Sequence, residues 1–161
     1  MMKSLVKTGT AHRRGKVLAV ASGGGHWVQL LRLLPAFADM DVVFVTVDKL
    51  YREQVVGSKL YVVRDATRWN KFGLVLMAGQ LVWVMLRERP TAVVSTGAAP
   101  GFVAVVLGWL IGARTMWLDS IANLECLSLS GTHAGRFADL WLTQWPHLTQ
   151  AEGPHYAGSV L

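Results

Sequence analysis

Apolar residues in this chain fall into short unbroken runs that alternate with segments of helical spacing. Lys16 to Ala21 (KVLAVA), Val42 to Val47 (VVFVTV), Leu60 to Val63, Ala92 to Ser95, Arg114 to Leu118 and Asp139 to Thr143 predict strands. Between them, spacing near 3.6 predicts helices over His26 to Phe37, Phe72 to Arg89 (ended by Pro90), Phe102 to Ile111 and Leu127 to Phe137. Strands that are apolar on both faces need cover on both faces, and strand–helix alternation supplies it. The expected fold class is therefore α/β: a Rossmann-like parallel sheet with helices on both faces. No repeat or low-complexity block divides the chain, so residues 16–161 are expected to form a single domain after a basic N-terminal arm, 1–15.

That arm carries Lys3, Lys7, Arg13 and Arg14 with no apolar stretch of the signal-peptide kind. It suits either a solvated tail or a contact with anionic lipid. The segment Phe72 to Leu86 has fifteen residues without a charge, between Lys71 and Arg87. It is too short to cross a bilayer as an ordinary helix. With Gln80 as its one polar side chain, it fits either a core helix or a helix lying in a membrane interface. The polar, basic lead-in RDATRWNK (64–71) adds Arg68, Trp69 and Lys71 to Phe72, Trp83 and Arg87 as candidate lipid contacts.

Charge and cysteine usage narrow the setting. Sixteen Lys and Arg against ten Asp and Glu leave a net +6, which favours anionic partners without choosing among them. Cys126 is the sole cysteine, so no internal disulfide forms and a cytosolic setting fits best.

In an open parallel sheet ligands bind beyond the carboxyl ends of the strands, so the loops there are the places to look for chemistry. Ser22-Gly23-Gly24-Gly25 joins the first strand to the first helix, where glycines admit a ligand to the backbone and a helix N-terminus attracts phosphate. The same cluster also suits an ordinary tight turn. Val28 breaks the dinucleotide pattern G-x-G-x-x-G. His26 follows at the helix start, either as a general base, since imidazole is suited to neutral pH, or as a capping or packing residue. Ser95-Thr96-Gly97 opens a second loop with hydroxyls and space for phosphate or sugar oxygens. Asp119, Ser120 and Asn123 cluster in a third, and Gln144-Trp145-Pro146 forms a fourth. Zinc-ligand spacing, a Walker loop and a nucleophile elbow are all missing, which disfavours metal, P-loop and α/β-hydrolase chemistry.

The stretches SGGGHWVQLLRL (22–33), DATRWNK (65–71), STGAAPG (95–101), DSIANLECLSLSG (119–131) and GRFADLWLTQWP (135–146) together resemble the Alg14 family and its bacterial exopolysaccharide counterparts of the PssD or EpsE type. The resemblance implies the N-terminal, acceptor-binding half of a split GT-B glycosyltransferase, similar in layout to MurG. A partner of the Alg13 or PssE type would hold most of the UDP-sugar donor. The implied acceptor is a polyprenyl-diphosphate-linked sugar at the cytoplasmic face of the inner membrane. The implied donor is UDP-glucuronate first, with UDP-galactose in other members. Neither cofactor, metal nor nucleic acid is implied, because helix dipoles and basic groups can stabilise a leaving diphosphate. By the same resemblance His26 matches the histidine closing the glycine loop and is the first candidate base, with Asp119 the second. Ser22, Gly23, Gly24, Gly25, Ser95, Thr96, Gly97, Ser120 and Asn123 would surround the diphosphate. Eukaryotic members carry an N-terminal membrane anchor. This sequence departs from that pattern, which places attachment on the basic arm and on 72–86. A non-catalytic recruiter that stabilises a self-sufficient partner enzyme is the alternative role.

Overall fold

A computed structural model of the chain describes residues 15–66 and 69–160. The strands are β1 (Lys16–Val20), β2 (Asp41–Thr46), β3 (Lys59–Val62), β4 (Ala92–Ser95), β5 (Arg114–Leu118), β6 (Leu140–Thr143) and β7 (His155–Tyr156). They form one sheet in the order β3-β2-β1-β4-β5-β6-β7, with every neighbouring pair parallel. This is the α/β sheet expected from the apolar runs. The helices are α1 (Gly24–Arg32), α2 (Lys71–Glu88), α3 (Ala98–Leu110) and the short α4 (Leu129–Ala134).

The side-chain period of two along β1 explains why both faces need cover. Val17, Ala19 and Ala21 point into a core with Trp27, Leu30, Phe44 and Val94, beneath α1 and a 3₁₀ segment, Lys49–Val55. Leu18 and Val20 point the other way, into a core with Met77, Leu81, Val93, Val105 and Trp117, beneath α2, α3 and α4. The central strand therefore exposes nothing from Val17 to Val20.

The structure departs from the sequence pattern in several places: β7 was not expected, α1 ends at Arg32 with a 3₁₀ turn over Leu34–Phe37, and α3 begins at Ala98. Two further departures have local causes. The apolar pattern assigns no element to Lys49–Val55. That segment is a 3₁₀ turn started by the Asp48 carboxylate, which accepts a 2.9 Å hydrogen bond from the Leu50 N–H. The fourth helix was expected over 127–137. It begins only at Leu129, because Ser128 caps it by accepting from the Gly131 N–H at 2.8 Å.

α2 packs one face into the core and leaves an apolar stripe exposed on the other. Asn70 caps it through the Gly73 N–H at 2.8 Å, and Arg89, in the left-handed region at φ 47°, ends it. Gly73, Met77, Leu81, Val84 and Met85 face the core. On the outer side Phe72, Val75, Trp83 and Leu86 lie 71%, 69%, 53% and 68% exposed. Among the described residues no helix is long and apolar enough to cross a membrane.

At its last residue α2 buries Glu88 at the sheet edge opposite the strand carboxyl ends. Its carboxylate accepts from Lys16 Nζ at 2.8 Å, Lys59 Nζ at 3.0 Å and the Tyr61 hydroxyl at 2.6 Å. Burial alone would push this carboxyl up, but the three donors outweigh it and hold it down at about 2. Glu88 thus ties α2 to β1 and β3 near their starts, away from the loops at the strand carboxyl ends.

Candidate functional site

Because all strands are parallel, the loops following β1, β4, β5 and β6 gather along one sheet edge. The chain leaves β1 toward β2 on one side, while β4 starts the other half of the sheet. The crevice lies between the loops of those two strands. The glycine loop after β1 and the Ser95-Thr96-Gly97 loop after β4 meet there.

They are tied reciprocally. His26 Nδ1 lies 2.8 Å from the Thr96 carbonyl oxygen, and the Thr96 hydroxyl donates to the His26 carbonyl at 2.7 Å. A carbonyl can only accept, so Nδ1 carries the hydrogen, and in the neutral ring Nε2 keeps the free lone pair. His26 also borders a cavity of about 360 Å³ shared with Ala98, Ala99, Asn123, Ser128, Leu129 and Ser130. The ring fits only because residue 97 is glycine. Gly97 has φ +137°, and a Cβ there would overlap the imidazole. Ala98, next along, takes φ +66°, a strained value for a residue with a side chain, at the mouth of α3. Gly97→Ala is therefore expected to destabilise the fold by roughly 1–3 kcal/mol, measured by urea unfolding, and to push His26 off the Thr96 carbonyl.

The remaining candidates divide by what their polar atoms already do. Ser95 and Thr96 are fully buried. The Ser95 hydroxyl accepts from the Gly97 N–H at 3.1 Å. With the Thr96 hydroxyl spent on His26, both shape the site from beneath. Asp119 is buried and saturated: Ser128 Oγ donates to it at 2.6 Å, the Ser128 N–H and Asn123 Nδ2 at 3.0 Å, and Trp117 Nε1 at 3.2 Å. Such a carboxylate fastens the 119–128 loop. Ser22 supplies its carbonyl to the Thr46 hydroxyl at 2.6 Å. Gly24 is exposed at φ +56°, and its N–H donates to the Tyr51 hydroxyl at 2.8 Å. Gly23 lies under that same tyrosine ring, and Gly25 remains exposed.

Two contributors, Tyr51 and Gln29, were not foreseen, and a third, Gln144, was named only as part of the fourth loop. Tyr51 stacks on Trp27 with ring centroids 4.7 Å apart and so covers the glycine loop. Gln29 reaches across the crevice, donating to the Gly25 carbonyl at 3.0 Å and to Ser120 Oγ at 3.2 Å, while its Oε1 accepts from the Ile121 N–H at 3.1 Å. Gln144, in the fourth loop, donates to Gln29 Oε1 and to the Asp119 carbonyl, and accepts from the Val160 N–H. The two amides lock three loops in register. One clue was present in the sequence: Gln29 is polar at a helix position that the apolar pattern turns inward.

The lipid candidates lie together only in part. Phe72, Trp83 and Arg87 share the outer stripe of α2, where the Arg87 guanidinium sits 5.4 Å from the Trp83 ring centroid. Lys71 begins that helix and Trp69 precedes it, both exposed. Arg68 and the arm, 1–14, lie outside the described residues. Among the described residues no three His, Cys, Asp or Glu side chains converge on a point that could hold a metal ion.

Comparison with known proteins agrees with this architecture. No family model matches the chain. It is 30% identical to the UDP-N-acetylglucosamine transferase subunit ALG14 of Eremothecium gossypii, across 83% of this chain and 74% of that protein. The same-named subunit of Yarrowia lipolytica is 26% identical, across 86% and 77%. Of solved structures, MurG from Acinetobacter baumannii superimposes with a TM-score of 0.72 at 14% identity, over 90% of this chain and 45% of that one. A UDP-GlcNAc 2-epimerase from Methanocaldococcus jannaschii gives 0.60 at 12% identity, over 80% and 39%. The chain thus spans less than half the length of these two structures. A seven-stranded parallel sheet of this order, with its loops gathered where the order reverses, has the Rossmann-like fold of one half of a GT-B protein, and the likeness to the two transferase subunits makes the domain a glycosyltransferase-related subunit. Within that class the chain belongs to the Alg14 family.

Proposed function

We propose that the chain is the acceptor-binding half of a two-chain glycosyltransferase. A partner of the Alg13 or PssE type would hold the nucleotide sugar, and the acceptor would be a polyprenyl-diphosphate-linked sugar at the cytoplasmic membrane face. The observation that carries this reading is the His26–Thr96 pair at the crevice. It leaves one imidazole nitrogen available beside a cavity that the N-terminus of α3 borders.

In the proposed step His26 Nε2 takes the proton of the acceptor hydroxyl. The freed oxygen bonds to the anomeric carbon of the donor, the bond from that carbon to the diphosphate oxygen breaks, and the nucleoside diphosphate leaves with its electron pair. The glycine loop and the first turn of α3 favour the acceptor diphosphate through helix N–H groups and dipoles. Asp119, with both oxygens already occupied, holds the loop that carries Asn123 and Ser128 in place.

The names of the two relatives favour UDP-N-acetylglucosamine as donor. UDP-glucuronate, in an exopolysaccharide pathway, follows from the resemblance to the PssD or EpsE type. The exposed apolar stripe of α2 supports peripheral attachment to a membrane, and equally suits the alternative role of a recruiter for a self-sufficient partner.

The test is reconstitution. The chain alone is expected to give no transfer from any UDP-sugar to a lipid-diphosphate acceptor, and the chain with its partner subunit to give robust transfer from one of UDP-N-acetylglucosamine or UDP-glucuronate. Full transfer by either polypeptide alone would refute the split-enzyme reading.

A further inference from the structure

A second depression adjoins the His26 cavity. It measures about 470 Å³ and is walled by Leu74 and Ala78 of α2, Phe102 and Val103 of α3, and Leu129 of α4. Small side chains at Ala78 and Ala99 leave it open, and α4, only six residues long, does not roof it. Its size falls in the usual range for small-molecule sites, about 300–1,000 Å³.

Its position identifies its occupant. Ala99, Leu129 and Ser130 line both this groove and the cavity beside His26, so the two spaces adjoin across shared walls. At the other side Val75 lines the groove and is itself 69% exposed, on the outer face of α2 near Phe72. A molecule laid along this path meets, in order, the cavity where His26, Asn123 and Ser130 stand beside the N-terminus of α3, an apolar trough and an apolar surface stripe. That order matches one amphiphile with an anionic head and a long hydrocarbon tail. A nucleotide sugar would match the polar end only, and a docked apolar helix only the trough and stripe.

We propose that this groove binds the head-proximal isoprene units of the acceptor, so that the prenyl chain is recognised by the protein before it enters the bilayer. The proposal rests on the acceptor-half reading and adds a subsite to it. Val103, Phe102 and Leu74 gain by losing water contact to the chain, while Ala78 sets how thick a chain can pass.

The test uses the full chain without vesicles or detergent and compares two probes by calorimetry: farnesyl diphosphate, below the concentration at which it aggregates, and inorganic pyrophosphate. Farnesyl diphosphate is expected to bind at least about tenfold tighter. Ala78→Trp, which fills the trough, is expected to abolish that gain and leave pyrophosphate affinity unchanged. Val75→Glu, at a solvent-exposed position that folding tolerates, is expected to reduce the gain as well. Trp83→Ser, on the outer stripe but not in the groove, is expected to leave it intact. Equal affinity for the two probes, or a gain that survives both groove substitutions, overturns the proposal. The acceptor-half reading is then still judged by transfer in the reconstituted pair. Failure of both probes to bind overturns the groove and counts against that reading too.

Discussion

His26→Ala is expected to lower the transfer rate of the reconstituted enzyme by about 10²–10⁴-fold, the usual contribution of a positioned general base. The loss should fall on kcat, with KM for the lipid-linked acceptor and assembly with the partner little changed. The geometry explains the split. His26 leans on the Thr96 carbonyl through Nδ1 and is half-buried, so removing the ring takes away a proton acceptor without emptying a core. The backbone half of the tie, from the Thr96 hydroxyl to the His26 carbonyl, survives in the variant and keeps the two loops together. The recruiter role predicts the opposite result, normal turnover in an intact complex. Undiminished kcat in His26→Ala would therefore remove the base from the mechanism and favour recruitment.

Glu88→Ala is expected to be the most destabilising single change at the other edge of the sheet, costing about 3–5 kcal/mol, the usual penalty for breaking a buried ion pair. Lys16 and Tyr61 would lose the group that receives their hydrogen bonds, and α2 its link to β1 and β3. Lys59 contributes least, because its side chain is 62% exposed and its attraction is screened by solvent. The same site gives a pH dependence with a definite sign. The Glu88 carboxyl is held at about 2 in the folded chain against an ordinary 4.5. Between those values the unfolded chain binds more protons, so stability is full above 4.5 and drains away as pH falls toward 2. Lys16, raised chiefly by its hydrogen bond to Glu88, works at the opposite extreme, its share fading only as pH rises through its folded value. Unfolding free energies of the wild type and Glu88→Gln from urea titrations, followed from neutral pH down to about 2, should start roughly 3 kcal/mol apart and converge. A constant gap across that range would show that the charge on Glu88 carries none of this stability.

These effects sit at opposite ends of the strands, as the division of labour in this fold requires. Glu88 and its cations secure the amino ends of β1 and β3, where only stability is at stake. His26, Gly97 and the Gln29–Gln144 pair stand at the carboxyl ends, where the sheet order reverses and the backbone takes left-handed values at Gly24, Gly97 and Ala98.

Much of this was legible from the residues in order. Continuous apolar runs such as VLAV and VVFV can be buried only between two layers of helix, so the parallel sheet and its carboxyl-end loops followed from burial alone. The glycines at 23–25, His26 and the small residues at 95–97 lay in loops at strand ends and so pointed to the crevice, with a tight turn and a packing histidine left open as alternatives. What stayed hidden was pairing across the fold. Gln29 and Gln144, or Lys16 and Glu88, are far apart in sequence, and no local pattern says which polar group another will meet once buried. The same limit governed Asp119, a plausible base by residue type, whose four donors come from positions 117 to 128 only when the loop folds back on itself. It governed α2 as well. A fifteen-residue apolar stretch carries no record of which side will find a sheet. The sequence by itself determined the layers and the edge at which the candidate loops gather, since hydrophobic periodicity is a local property. The tertiary structure alone decided which nitrogen of His26 is tied, which carboxylates are spent on structure and which face of α2 stays bare, since those depend on contacts that exist only after the chain closes.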